Sequence, residues 1–230
     1  MRESLLFVPG FNCDADLWAP QIAEFSRAFD CCVADHTRFD TMRGIAEGIL
    51  RDAPERFILC GLSMGGYLAF EIMRLAPERV TKLALLDTQA TPETDLQRKL
   101  RNERIEAGRR DGMEAVSDLI WPTLVHPTRR EDASLRAIVR GMALKGGIDV
   151  FLRQAKAIMN RADSRPDLAK IRVPTLVLTG EQDALTPPSR AREMADAISG
   201  SRLVIVPDCG HMSTLEAPLS VNAALGSFLA

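Results

Sequence analysis

Six short apolar runs, at 4–8, 31–34, 56–60, 82–86, 174–179 and 202–206, punctuate the chain. None alternates apolar with polar positions as a half-exposed strand does, and continuous apolar runs of this length suit parallel strands buried on both faces. The stretches between them carry a helical period instead. Met42, Ile45, Ala46, Ile49 and Leu50 recur at helical spacing behind Thr41, a residue suited to capping the first turn. This alternation predicts an α/β fold: a mostly parallel six-stranded sheet flanked by helices.

One connection breaks the rhythm. From Asp87, ending the fourth run, to Pro174, opening the fifth, the chain is far longer than the roughly one dozen residues a parallel crossover needs. The excess is helical in pattern. A first helix is expected over 92–107 between Thr91 and Gly108, a second over 112–120 up to Pro122, and a third over about 129–144. A fourth is marked by the stripe Ile148, Phe151, Leu152, Ala155, Ile158 and Met159.

Composition narrows the classes without choosing among enzymes. With 230 residues, 46% of them hydrophobic, the chain is expected to bury one core as a single domain, 1–230. A net charge of −2 argues against a nucleic-acid partner, and no run reaches the ~18 apolar residues of a membrane span. The apolar run near Met1 is too short for a signal peptide, and the five cysteines form neither a disulfide framework nor a metal-type spacing. A cytoplasmic location is expected. The glycines near Ser63 do not form a dinucleotide-binding pattern, and neither a phosphate-binding loop nor a His-Glu-x-x-His motif occurs, so no cofactor and no metal are expected.

The candidate chemistry sits at strand ends. Arg56-Phe57-Ile58-Leu59-Cys60 runs directly into Gly61-Leu62-Ser63-Met64-Gly65-Gly66 and an apolar helix, the context of a sharp elbow that lifts a serine hydroxyl off a parallel sheet. Gly61 and Gly65, two residues either side of the serine, fall where side chains would collide across the turn. A serine nucleophile needs a base, and a base needs an orienting acid. His211, one of three histidines, lies just beyond the run 202–206, and Asp183 just beyond 174–179. Ser63, Asp183 and His211 therefore appear at three strand ends in the order Ser…Asp…His.

Taken with Val8-Pro9-Gly10-Phe11-Asn12, the blocks Gly61-Leu62-Ser63-Met64-Gly65-Gly66, Pro174 to Asp183, and Gly210-His211-Met212 resemble the α/β-hydrolase superfamily over essentially the whole length. One departure is Pro9-Gly10, where many members have His-Gly. The resemblance implies that the insertion, taken as 90–165, is a helical cap over the site. It also implies an oxyanion hole from the backbone N–H groups of Met64 and of Phe11, with Asn12 as the second choice for the latter.

Phe11 is a further candidate to contact substrate, as are Trp121 and His126; for Trp121 the competing role is to anchor cap to core. His36 reads as structural or exposed, and Cys13, Cys60 and Cys209 as small hydrophobes. Asp87 and Asp208 compete with Asp183 as the acid, Asp87 because some relatives of this fold take the acid from the earlier strand. The reaction implied is hydrolysis of an ester or related acyl bond of a small molecule. Carbon–carbon hydrolysis, perhydrolysis, an elimination resembling that of menaquinone biosynthesis, and a slow-turnover ligand receptor stay open, as does the oligomeric state.

Overall fold

The protein is described by a computed structural model over residues 2–230. Six strands, β1 (Ser4–Val8), β2 (Asp30–Val33), β3 (Phe57–Leu62), β4 (Val80–Leu86), β5 (Thr175–Gly180) and β6 (Arg202–Val206), pair in the order β2-β1-β3-β4-β5-β6. Every pairing is parallel. The helices are α1 (Ala19–Phe25), α2 (Met42–Asp52), α3 (Met64–Leu75), α4 (Asp95–Leu124), α5 (Ala133–Met159), α6 (Arg165–Leu168), α7 (Pro188–Ala197), α8 (Ser213–Glu216) and α9 (Pro218–Leu229).

The unbroken apolar runs are explained by two cores, one on each face of the sheet. Along β3, Phe57 and Leu59 join α2, α3 and α7, while Ile58, Cys60 and Leu62 join α1 and α9. The outermost strands correct the expectation of burial on both faces. Asp30 and Arg202 are exposed and their strands half-buried, because β2 and β6 each have a single neighbour. In α2, Thr41 accepts from the N–H of Gly44, and Met42, Ile45, Ala46 and Ile49 form the buried stripe; Leu50 lies at its margin.

Between β4 and β5 the four predicted helical stretches run as two pairs: non-helical Gly112 divides the first from the second within α4, and non-helical Gly147 the third from the fourth within α5. α4 starts at Asp95 rather than at Pro92, because Thr94 and Gln97 cap each other's backbone. Gly108 does not end it. A Cβ there would come within 3.0 Å of Ile148 and Val116, so this glycine permits close approach of α4 and α5. The bends fall at Gly112 (φ 81°) and Gly147 (φ 71°). α4 continues through Pro122 to Leu124, and the Thr123 hydroxyl donates to the Ile120 carbonyl beside the break. The pair has its own small core, including Val116, Phe151 and Ala155.

Candidate active site

Ser63 occupies the turn between β3 and α3 with φ 55°, a left-handed conformation unusual for a residue bearing a side chain. Such strain persists only where the surroundings dictate it. The Ser63 N–H donates to the Leu86 carbonyl at 3.0 Å, and its own carbonyl accepts from the Thr88 hydroxyl at 2.8 Å. The glycines make the turn sterically feasible: a Cβ on Gly61 would lie 2.4 Å from the Gly65 carbonyl oxygen, and one on Gly65 only 2.0 Å from that of Val8.

The loops after β5 and β6 bring Asp183 and His211 to the same place. His211 Nε2 lies 2.9 Å from Ser63 Oγ, and Nδ1 lies 2.8 Å from Asp183 Oδ2. Asp183 is buried and saturated: Oδ1 accepts the N–H groups of Leu185 and Thr186, and Oδ2 also accepts the Thr186 hydroxyl. Burial alone would raise its pKa, but the His211 charge and these hydrogen bonds prevail and hold it below the usual carboxylate value. For His211, burial pulls down, yet Asp183, with Asp87 and Glu216 behind it, keeps the imidazole above its ordinary pKa. With Asp183 ionised, Nδ1 carries the proton and Nε2 is free to accept from Ser63.

The rival carboxylates are placed elsewhere. Asp87 is fully buried, accepts the Gly180 N–H at 2.9 Å and the Ser213 hydroxyl, and is pushed well up in pKa by burial and by the neighbouring charge of Asp183. It secures the acid and histidine loops. Asp208 is exposed at φ 51°.

Several residues with no sequence signature hold the histidine. The carboxylate of Glu216 accepts the N–H groups of Gly210, Met212 and His126, while the Leu124 carbonyl at the end of α4 accepts those of His211 and Met212. Thus the helical insertion is tied directly to the His211 loop. The loop after β1 is held by Gln154 of α5, whose Oε1 accepts the Asn12 N–H at 2.9 Å, and by His36. His36 is buried, lowered in pKa by that burial, and donates from Nε2 to the Gly10 carbonyl at 3.0 Å. This is the structural alternative for His36.

Two expectations about the pocket need correction. Trp121 does not line the cavity at Ser63; it is buried in the core with Met212, and its indole N–H donates to the Arg130 carbonyl. An amphipathic ring with an internal acceptor favours the anchoring role. His126 also lies outside the cavity lining, its ring accepting from Thr128 at the start of a short helical turn.

The cavity itself holds about 150 Å³ and is bounded near Ser63 by Phe11, Leu62 and His211. Apolar residues of α4 and α5, among them Val116, Ile120 and Val139, roof it. Arg101, Arg104, Arg161 and Glu93 form a charged wall. Cys13 is on the lining too, but burial raises its thiol to about 12, leaving it protonated at neutral pH. Among the described residues no cluster of His, Cys, Asp or Glu is placed to hold a metal, and no helix is long and apolar enough to cross a membrane.

The sequence profile of the alpha/beta hydrolase family matches residues 5–224. A thermophilic esterase from Thermogutta terrifontis superposes with a TM-score of 0.89 at 29% identity, covering 100% of this chain and 90% of its own. The enol-lactonase from Burkholderia xenovorans LB400 superposes at 0.86 with 26% identity, covering 99% and 92%. By sequence, the pimeloyl-(acyl-carrier protein) methyl ester esterase of Neisseria meningitidis serogroup B is 31% identical over 200 residues, spanning 84% of this chain and 72% of that protein.

Proposed function

Because the chain belongs to the alpha/beta hydrolase family and is an enzyme of that fold, we propose that it cleaves an ester or related acyl bond of a small molecule through Ser63, His211 and Asp183. The observation that carries this reading is the continuous contact from Asp183 Oδ2 to His211 Nδ1 at 2.8 Å and from His211 Nε2 to Ser63 Oγ at 2.9 Å. In the first step Ser63 Oγ attacks the carbonyl carbon while its proton passes to His211 Nε2. His211 then returns that proton to the leaving alcohol, and an acyl-Ser63 ester remains. Water, deprotonated by the same nitrogen, adds to the acyl carbon; the second tetrahedral intermediate then breaks its bond to Ser63 Oγ, which takes the proton back from His211 as the acid leaves.

The oxyanion of each tetrahedral intermediate is held by the N–H groups of Met64 and Phe11. Met64 opens α3, where the first N–H groups have no intrahelical acceptor. Asn12, the other choice in the loop after β1, has its N–H committed to Gln154, which favours Phe11. In this reading residues 90–165 act as a cap, and Phe11, on the cavity lining, contacts substrate.

A fluorophosphonate probe tests the nucleophile. The adduct is expected on the peptide containing Ser63 and is expected to vanish in Ser63→Ala. Labelling of another residue in active protein would reject the assignment.

A further inference from the structure

The cavity wall away from the strand ends carries more positive charge than a neutral ester requires. Three arginines, Arg101, Arg104 and Arg161, face a single carboxylate, Glu93. Glu93 Oε1 accepts from Arg101 Nε at 2.8 Å and Nη2 at 2.6 Å, and lies 3.8 Å from Arg161 Nη1. Arg161 also donates to the carbonyls of Thr91 and Ile158, each at 3.1 Å. The Arg104 side chain has no hydrogen bond or ion pair among the described residues, although it is half-buried. Withdrawing a cation from water is costly unless it is paired, so the Arg104 side chain, half-buried on the cavity wall with no protein partner, is placed to meet a group that a ligand brings.

Two aromatic rings fix where that partner would sit. The Arg101 guanidinium stands 5.2 Å from the centre of the Phe11 ring, and that of Arg161 stands 4.4 Å from the centre of the Tyr67 ring. Phe11 follows β1 beside the elbow, and the Tyr67 N–H reaches the Ser63 carbonyl at 3.3 Å, one helical turn on. Arg101 and Arg161 are thus stacked on rings of the lining that also holds Ser63, and Arg104 lies on the same lining. A guanidinium presents a planar fork of donors that matches a carboxylate.

We infer that this wall is an anion subsite, with Arg104 as its free donor, and that the substrate is a small ester bearing a carboxylate. The inference names the substrate class for the acyl-transfer reading of Ser63 and rests on it. Arg104 is a specificity-determining residue; Glu93 orients Arg101 and offsets part of the positive charge.

Two measurements keep the subsite and the chemistry separate. In calorimetry, glutarate is expected to bind the wild-type protein and to bind about ten- to a hundredfold more weakly to Arg104→Gln, the loss of a charge-assisted contact. Arg109→Gln, on the exposed face of α4 where Arg109 pairs with Glu106, is expected to bind as wild type. In kinetics, the ratio of kcat/KM for mono-p-nitrophenyl glutarate over p-nitrophenyl pentanoate is expected to exceed one and to fall by a similar factor in Arg104→Gln. The comparison of 4-acetoxybenzoate with phenyl acetate covers a carboxylate on the alcohol side.

Arg104→Gln should also melt no lower than wild type, because an unpaired cation is removed; a lower melting temperature with unchanged ratios would assign Arg104 a structural role and overturn the inference. Binding of inorganic phosphate but not glutarate, or no preference in either ester pair, would overturn it as well. Glutarate binding that depends on Arg104, with no hydrolysis of any ester, would support the subsite and reject the acyl-transfer reading.

Discussion

His211 is pulled in two directions, and the balance sets the pH dependence. Burial favours the neutral ring, but Asp183 at 2.8 Å, reinforced by Asp87 and Glu216, leaves its pKa above the ordinary value, which is about 6.5. A base must be unprotonated to take the Ser63 proton, so kcat/KM is expected to fall as pH drops through a midpoint above ~6.5. A pH–rate profile flat down to mildly acidic pH would contradict this. The two buried carboxyls divide by the same physics. Asp183, held low in pKa, orients the imidazole, whereas Asp87, held high, braces the Gly180 and Ser213 loops. Asp183→Asn is expected to lower kcat by about ten-thousand-fold through the wrong tautomer. Asp87→Asn, which keeps an oxygen for the Gly180 N–H and makes no hydrogen bond to His211, should cost far less; the reverse order in folded variants would move the acid to Asp87. Ser63, Asp183 and His211 could be picked out in the sequence because each follows an apolar strand with a local motif. Thr186, Ser213, Glu216 and Gln154 could not, since a single polar residue has no local signature until separate loops converge on it.

The elements that were legible are those whose periodicity is decided locally. β3 and α2 follow directly from apolar runs and helical stripes, because both sheet faces are covered and Thr41 caps its helix. α4 was harder to read because glycine carries two meanings. At Gly108 it clears space for Ile148 and Val116 within the first helical stretch of α4, and at Gly112 it supplies a backbone angle that other residues resist. Only packing against α5 separates the two. Gly147, with φ 71° and ψ −180°, bends α5 in the same manner, and a Cβ there would meet nothing within 4 Å. Gly147→Ala should therefore cost about 1–3 kcal/mol of stability from backbone strain alone. Urea unfolding measures it, and an unchanged midpoint would show that the bend needs no glycine.

At the scale of the molecule, the sheet delivers Ser63, Asp183 and His211 from the carboxyl ends of β3, β5 and β6; β4 separates β3 from β5, and β6 adjoins β5. The helical insertion walls the cavity and also fixes the histidine loop, through the Leu124 carbonyl and through Glu216 to His126. The sequence indicates the length and helical nature of this insertion, but the choice between pocket and anchor for Trp121 turns on its burial with Met212 and its bond to the Arg130 carbonyl, contacts that no local pattern shows. All these features serve one chemical claim, that an acyl group is carried on Ser63. Rapid acid quenching during turnover of p-nitrophenyl acetate, followed by intact-protein and peptide mass measurement, tests it most directly. One acetyl group is expected on the peptide containing Ser63, with loss of turnover in Ser63→Ala; turnover that survives Ser63→Ala, or an acyl group trapped on a different residue, would contradict acyl transfer through Ser63.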